Sequence, residues 1–233
     1  MQKKTYQHIF FDLDRTLWDF NTNSDMVLQQ LFREYGLVFH FGSFVFFKNR
    51  FEYHNSVLWN RYYRNGITKE KLVYQRFYVT LKEAGYDNLE VAKKIAVDYL
   101  KLSPLQTKLI PFTLPMLQKL KERGYQLHII TNGFNEVQFK KIENCNLGQY
   151  FTQIITSEDA GANKPSKQIF EYALNRSNAT PQNSLMIGDD LNTDIAGAAN
   201  MGIDQIYFNY FHHKHEEQPT YEVTNLLEVL KII

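Results

Sequence analysis

The stretch His8-Ile9-Phe10-Phe11-Asp12-Leu13-Asp14-Arg15-Thr16 runs from an apolar segment straight into two carboxylates. Its first six residues read as a short buried strand, rich in bulky apolar side chains. Comparable runs follow at 126–130 (QLHII), 153–156 (QIIT), 184–187 (SLMI) and 205–208 (QIYF). Helical patterns separate them. Residues 114–123 (LPMLQKLKER) stop at Gly124, and 136–144 and 167–175 are the next helices. Strand alternating with helix predicts an α/β fold, a Rossmann-like parallel sheet with helices on both faces.

Residues 20–102 break that alternation. A helix is expected over 24–35, with Ser24 as its N-cap ahead of Asp25. Gly36, Gly66 and Gly85 punctuate further helical stretches, Thr68-Lys69-Glu70-Lys71 reads as a helix start, and 89–102 as another helix. The pattern predicts an all-helical insert after the first strand. Residues 1–17 and 103–233 then form the core, and 18–102 the insert.

The 233 residues suffice for a core plus a smaller unit. The formal net charge of +1 supplies no overall field toward a nucleic acid polymer or an anionic membrane, so any bound anion needs a local site. With Cys145 as the single cysteine, no internal disulfide framework can form, which suits a reducing compartment. The basic start leads into an apolar run too short for a leader peptide, and no stretch approaches the length of a membrane span. A cytoplasmic protein is expected.

Four segments carry chemistry. Asp12 and Asp14 stand where a parallel sheet delivers ligand contacts, at the C-terminal strand edge. One carboxylate can attack phosphorus, and a second can protonate the leaving oxygen and then deprotonate water. Alone, the pair could be a strand end with solvated acids. Thr131 and Asn132 end the next strand, where a hydroxyl can donate to a phosphate oxygen, although threonine is also a common turn former. Lys164, in Gly161-Ala162-Asn163-Lys164-Pro165-Ser166, can offset the charge of a transferring phosphoryl group, although most lone lysines are solvated. Finally, Ile187-Gly188-Asp189-Asp190-Leu191-Asn192-Thr193-Asp194 offers carboxylates of the kind Mg2+ prefers, or else an acidic helix start.

Together, in order and spacing, FDLDRT, ITN, Lys164-Pro165 and GDDLNTD resemble the four motifs of the haloacid dehalogenase superfamily. The resemblance spans the chain. It implies a Rossmann-like core and a mobile helical cap inserted after the first motif. It implies Asp12 as nucleophile and Mg2+ ligand, and Asp14 as general acid and base with its main-chain carbonyl on the metal. Thr131 and Lys164 would hold the phosphate, and Asp189 would bind the metal directly. Asp194 would orient Lys164 or a metal-bound water, with Asp190 nearby. True dehalogenases lack an aspartate two positions after the nucleophile, because halide needs no proton on departure. Asp14 therefore points to phosphoester chemistry. The phosphonate-cleaving branch uses a cap lysine, for which Lys48, Lys69 and Lys71 are candidates by position. Where relatives often carry Pro-Gly, this chain has Pro111-Phe112.

A closer likeness to the bacterial pyrimidine 5′-nucleotidase subfamily runs through LWNRYYRNGITKEKLVYQRF in the cap and IITNGFNEVQFKKIENCNLGQYF in the core. It implies a small-molecule phosphate ester as partner, a pyrimidine nucleoside 5′-monophosphate, handled by a monomer or small homo-oligomer. Asn132, Trp59 and Arg76 are the expected substrate contacts, with Asn55 and Thr68 as further cap positions. The thirteen aromatic residues in 39–78 read first as bundle core, and one or two as rings that stack on a planar substrate. A sugar-phosphate phosphatase, a phosphomutase or a non-catalytic binder on the same fold are the alternatives. His212-His213-Lys214-His215 reads as a solvated loop.

Overall fold

A computed structural model describes residues 6–64 and 66–233. The basic start of the chain, residues 1–5, lies outside the described residues. The chain divides into two compact units, one built from the residues up to Phe20 together with Thr107–Ile233, the other from Asn21–Gln106.

The first unit opens with β1 (His8–Phe11) and resumes after the second unit with α6 (Thr113–Glu122). The helices of the second unit are α1 (Phe20–Glu34, which begins in the first), α2 (Val38–Phe41), α3 (Phe44–Tyr63), α4 (Lys69–Glu83) and α5 (Leu89–Leu102). The first unit continues with β2 (Gln126–Thr131), α7 (Asn135–Asn144), β3 (Phe151–Thr156), α8 (Ser157–Ala160) and α9 (Lys167–Ser177). It ends with β4 (Ser184–Gly188), α10 (Ala196–Ala199), β5 (Asp204–Phe208), β6 (Tyr221–Val223) and α11 (Leu226–Ile232).

All six strands are parallel, in the order β3-β2-β1-β4-β5-β6. β1 is therefore central and the strand order reverses beside it. Both its faces are buried because successive side chains point to opposite sides of a sheet. Ile9 and Phe11 join Leu127, Ile129, Leu185 and Ile187 under α6 and α11, whereas Phe10 joins Ile130, Ile155 and Met186 against α9 and α10. The α/β expectation is met, with helices on both faces. The sixth strand escaped the sequence reading because it is short and only Val223 of its three residues is buried.

Two details of the reading change. Ser24 does not cap a helix: α1 starts four residues earlier, and the Ser24 hydroxyl is buried against the Tyr99 hydroxyl at 2.9 Å. Trp18 and Phe20 belong to the first unit, since Trp18 is fully buried with Leu17 and Ile110 in its core. Thr68 does cap α4, accepting from the Lys71 amide. Phe112, at the Pro111-Phe112 turn, adopts φ 69°. A bulky residue is strained in this left-handed region, where glycine is at ease.

In the second unit the rings do form the interior. Phe32, Phe41, Phe47, Phe51, Phe77 and Tyr99 are buried together with Leu28, Leu31 and Ile95.

At the far side of the first unit's sheet, His8 and His128 face one another across β1 and β2. Their ring nitrogens Nδ1 and Nε2 lie 3.1 Å apart, and the Phe10 ring packs on His128 at 4.8 Å. Burial pushes His128 down to about 4, helped by His8. Because the folded value lies below that of the unfolded chain, the folded form takes up fewer protons between about pH 6.5 and 4. Stability present above that window is lost as pH falls through it. His128→Leu should flatten this acid loss by about 2–3 kcal/mol relative to the native chain. Urea unfolding of both proteins at pH 4.5 and 7.5 checks it, and parallel pH curves would reject it.

Candidate active site

The site is assembled at the C-terminal ends of β1, β2 and β4, next to the point where strand order reverses. Asp12 follows β1 directly and its amide donates to the Ile187 carbonyl of β4 at 2.9 Å. The chain then turns through Arg15 at φ 66°, with the Leu17 and Trp18 amides donating back to the Leu13 carbonyl. This turn carries Asp14 and Thr16 on from Asp12.

Lys164 is the hub. Its ammonium group, 2% exposed, donates to Asp12 Oδ1 at 2.6 Å, to Asp194 Oδ1 at 2.6 Å and to the Ile130 carbonyl at 2.8 Å. All three ammonium hydrogens are thus used. Burial alone would pull its proton off, but the two carboxylates outweigh that and hold it charged. The lysine is itself placed by Asn132, whose side-chain amide donates to the Lys164 carbonyl (3.1 Å) and whose Oδ1 accepts from the Lys164 amide (2.8 Å). The Asn132 side chain is therefore committed to the lysine's main chain, where the sequence reading had it on the substrate.

Asp12, Asp189 and Asp194 each bring one carboxylate oxygen within 4.8 Å of the others. Asp12 is pushed up to about 7, first by burial and then by Asp194, against the pull of Lys164. Burial and the nearby Asp12 raise Asp189 as well, and burial raises Asp194. The buried Asp12 and Asp194 share Lys164, while the half-buried Asp189 feels only the weaker pull of Arg15, so carboxylates outnumber cations in the cluster. Thr16 contributes a weak hydrogen bond to Asp189 at 3.4 Å.

Asp194 comes from a π-helical turn, residues 191–195, that follows β4. Its Oδ2 accepts from the Asp190 amide at 3.2 Å. It passes so close to Gly188 that a Cβ there would lie 2.2 Å from Oδ2. Only glycine admits this approach. Asp190 instead caps the turn, accepting from the Asn192 and Thr193 amides.

Thr131 ends β2 with its hydroxyl buried. The oxygen accepts from the Gly133 amide (3.2 Å) and from Gln138 Nε2 (2.6 Å), leaving its hydrogen to donate. Asp14 accepts from Lys141 Nζ on one oxygen (2.6 Å) and Gln138 Nε2 on the other (3.0 Å). Lys141 and Gln138 were not singled out in the sequence. The helix over 136–144 was, and their separation of three residues puts them on one face of it.

The remaining expected contacts lie in the second unit. Arg76 is 4% exposed inside the aromatic interior. Its Nη1 donates to Asn55 Oδ1 at 3.1 Å, and its guanidinium lies 4.9 Å from the Tyr99 ring centroid. Its Nε donates to the Val73 carbonyl at 3.3 Å, so two of its nitrogens are bonded within that unit. Trp59 is half-buried, with Tyr62 and Tyr63 rings 5.6 and 5.5 Å away. Lys48 pairs with Asp25 and Glu52, which outweigh partial burial and hold it charged. A Schiff-base lysine needs the opposite shift. The histidine loop shows His215 bonded to Glu222 at 3.2 Å, with His212 and His213 exposed.

The family model for haloacid dehalogenase-like hydrolases matches residues 6–202. The chain belongs to that family. Among similar proteins, pyrimidine 5′-nucleotidase PynA of Streptococcus pneumoniae is 31% identical over 228 residues, covering 97% of this chain and 94% of PynA. Pyrimidine 5′-nucleotidase YjjG of Escherichia coli is also 31% identical, covering 97% of this chain and 96% of YjjG. The magnesium-bound crystal structure of the HAD-hydrolase YfnB from Bacillus subtilis superposes with a TM-score of 0.88 at 29% identity, over 98% of this chain and 99% of that one. On the family match and these relatives, this hydrolase is a phosphatase of phosphoric monoesters. Among the described residues no helix is long and apolar enough to cross a membrane.

Proposed function

We propose that this hydrolase dephosphorylates pyrimidine nucleoside 5′-monophosphates with Mg2+, through an aspartyl-phosphate on Asp12. The observation that carries the reaction is the buried cluster in which Lys164 joins Asp12 to Asp194 while Asp14 stands two residues away. An Asp12 carboxylate oxygen attacks phosphorus, and the bond from phosphorus to the ester oxygen breaks. Asp14 delivers its proton to that departing oxygen, then takes a proton from the water that opens the acyl phosphate. The Thr131 hydroxyl donates to a phosphoryl oxygen, and Lys164, whose hydrogens are spent on Asp12, Asp194 and Ile130, contributes through its positive charge beside the nucleophile.

The charge-deficient carboxylate cluster fits a hard divalent cation. Asp12, Asp189 and the main-chain carbonyl of Asp14 would hold Mg2+, since Asp194 is spent on Lys164 and the Asp190 amide. Bound there, the metal supplies positive charge against the phosphoryl oxygens.

The substrate class is supported by likeness to two pyrimidine nucleotidases that runs through the helical unit as well as the core. A panel of UMP, dUMP, dTMP, AMP, ribose 5-phosphate, hexose 6-phosphates and triose phosphates decides the question. Phosphate release should be at least ~10-fold more efficient for the pyrimidine monophosphates and should vanish with EDTA. A preference for sugar or triose phosphates would overturn the substrate class. A phosphosugar isomer formed without free phosphate would mark a mutase.

A further inference from the structure

We infer that Lys141 and Gln138 are positioning residues for the acid and base Asp14, and that they tie it to the phosphate-binding Thr131. This deepens the phosphatase reading and rests on it.

The geometry is specific. The two carboxylate oxygens of Asp14 take different donors, Lys141 Nζ on Oδ1 at 2.6 Å and Gln138 Nε2 on Oδ2 at 3.0 Å. A carboxylate held through both oxygens cannot rotate about its last bond without losing a partner. A carboxylate oxygen offers two acceptor sites, and the clamp uses one on each. A site therefore remains on each oxygen for the proton that Asp14 delivers and recovers.

Neither partner is a solvated side chain that happens to reach Asp14. Lys141 is 3% exposed and Gln138 fully buried. The Lys141 ammonium lies 4.0 Å from the centroid of the fully buried Trp18 ring, a cation–π contact that holds its stem. Gln138 lies against Gly133, where a Cβ would stand 2.4 Å from its carboxamide. Its second Nε2 hydrogen reaches Thr131 Oγ1 at 2.6 Å. One amide nitrogen therefore joins the group that moves the proton to the group that holds the phosphate. Burying a lysine is costly, and packing alone would be served by methionine at this position.

The test exploits the leaving group. Loss of Asp14 orientation should matter most when the departing oxygen needs a proton, as an alkoxide does, and least for p-nitrophenolate. Release of the leaving group is followed in a single turnover with enzyme in excess, so that opening of the acyl phosphate does not contribute. Lys141→Met should slow release from ribose 5-phosphate or UMP by about 10- to 100-fold and from p-nitrophenyl phosphate by less than about 3-fold. Lys141→Arg should recover most of the rate. In an Asp14→Ala background, Lys141→Met should cost little more, because its effect passes through Asp14. Gln138→Leu should repeat the pattern and also raise KM through Thr131.

Equal slowing of both ester types, or full additivity with Asp14→Ala, would reduce Lys141 to a structural residue and overturn the inference. If Lys141→Met does not fold, Lys141→Gln carries the same comparison, read against Lys141→Arg as the rescue. A native enzyme that hydrolyses no phosphate ester would instead sink the phosphatase reading, a separate outcome.

Discussion

Asp12→Asn should lower turnover of every phosphate monoester by about 10⁴-fold or more and leave no acid-stable phosphoryl group on the protein. The amide keeps the shape and can still meet Lys164, but its oxygen is a far weaker nucleophile. The stability outcome runs the other way. Burial raises Asp12 to about 7 even with Lys164 at 2.6 Å, so its ionised form is disfavoured in the metal-free fold. A raised carboxyl contributes stability that is complete below its unfolded value and is lost as pH rises through its folded value. At pH 8 the native chain without Mg2+ has lost that contribution, and Asp12→Asn has no such charge to bury. The variant should therefore melt no lower than the native chain at pH 8 in EDTA, while its activity is gone. Denaturant titration and rapid-quench labelling with a ³²P-ester read the two effects. A variant that turns over substrate within tenfold of native would remove Asp12 from its role.

Lys164→Met should destabilise the fold by about 3–5 kcal/mol at pH 7.5, as expected when one partner leaves a buried ion cluster. Asp12 and Asp194 would then lie buried without their shared cation, and the Ile130 carbonyl would lose a donor. The pH dependence identifies the cause. Both carboxyls are already raised by burial, and without the lysine they rise further. The folded variant then holds protons that the unfolded chain has released, so its stability falls as pH rises and returns on acidification. Most of the deficit should disappear by about pH 5. Asp194→Asn added to Lys164→Met should also recover part of it by removing one unpaired charge. A deficit unchanged from pH 5 to 8 would mean that packing, not charge, is what Lys164 supplies. Catalysis should be lost at every pH, since the same ammonium holds the Asp12 carboxylate in place.

Some of this was readable before any coordinates. An apolar run that ends in Asp12 and Asp14, repeated runs at 126–130 and 184–187, and helices between them specify a parallel sheet, because only that arrangement buries such strands on both faces. The motif residues then fall at strand ends by topology. Local signals placed α4 behind Thr68 and α5 over Leu89–Leu102. They misplaced the start of α1, because a serine inside a helix looks like a cap until Tyr99, 75 residues later, is seen to take its hydroxyl. Asn132 and Arg76 show the same limit. Each is polar and near the motifs or the aromatic segment, which suggests a ligand, and only the coordinates show the bonds each makes to a neighbour inside the protein.

The pair Asp12 and Asp14, the lysine and the acidic fourth segment were determined by the sequence itself, because their spacing relative to strand ends is a one-dimensional property. What Lys141 and Gln138 do was decided only by the tertiary structure. In the sequence they are two polar residues of an amphipathic helix, indistinguishable from solvated ones. Packing of α7 beside the turn after β1 brings them to a carboxylate more than 120 residues away in the chain. Pairing across such a distance leaves no local pattern, since it depends on which helix face is buried and against what. The same holds for the charge balance of the site, where burial, a property of the folded chain alone, raises Asp12 to about 7.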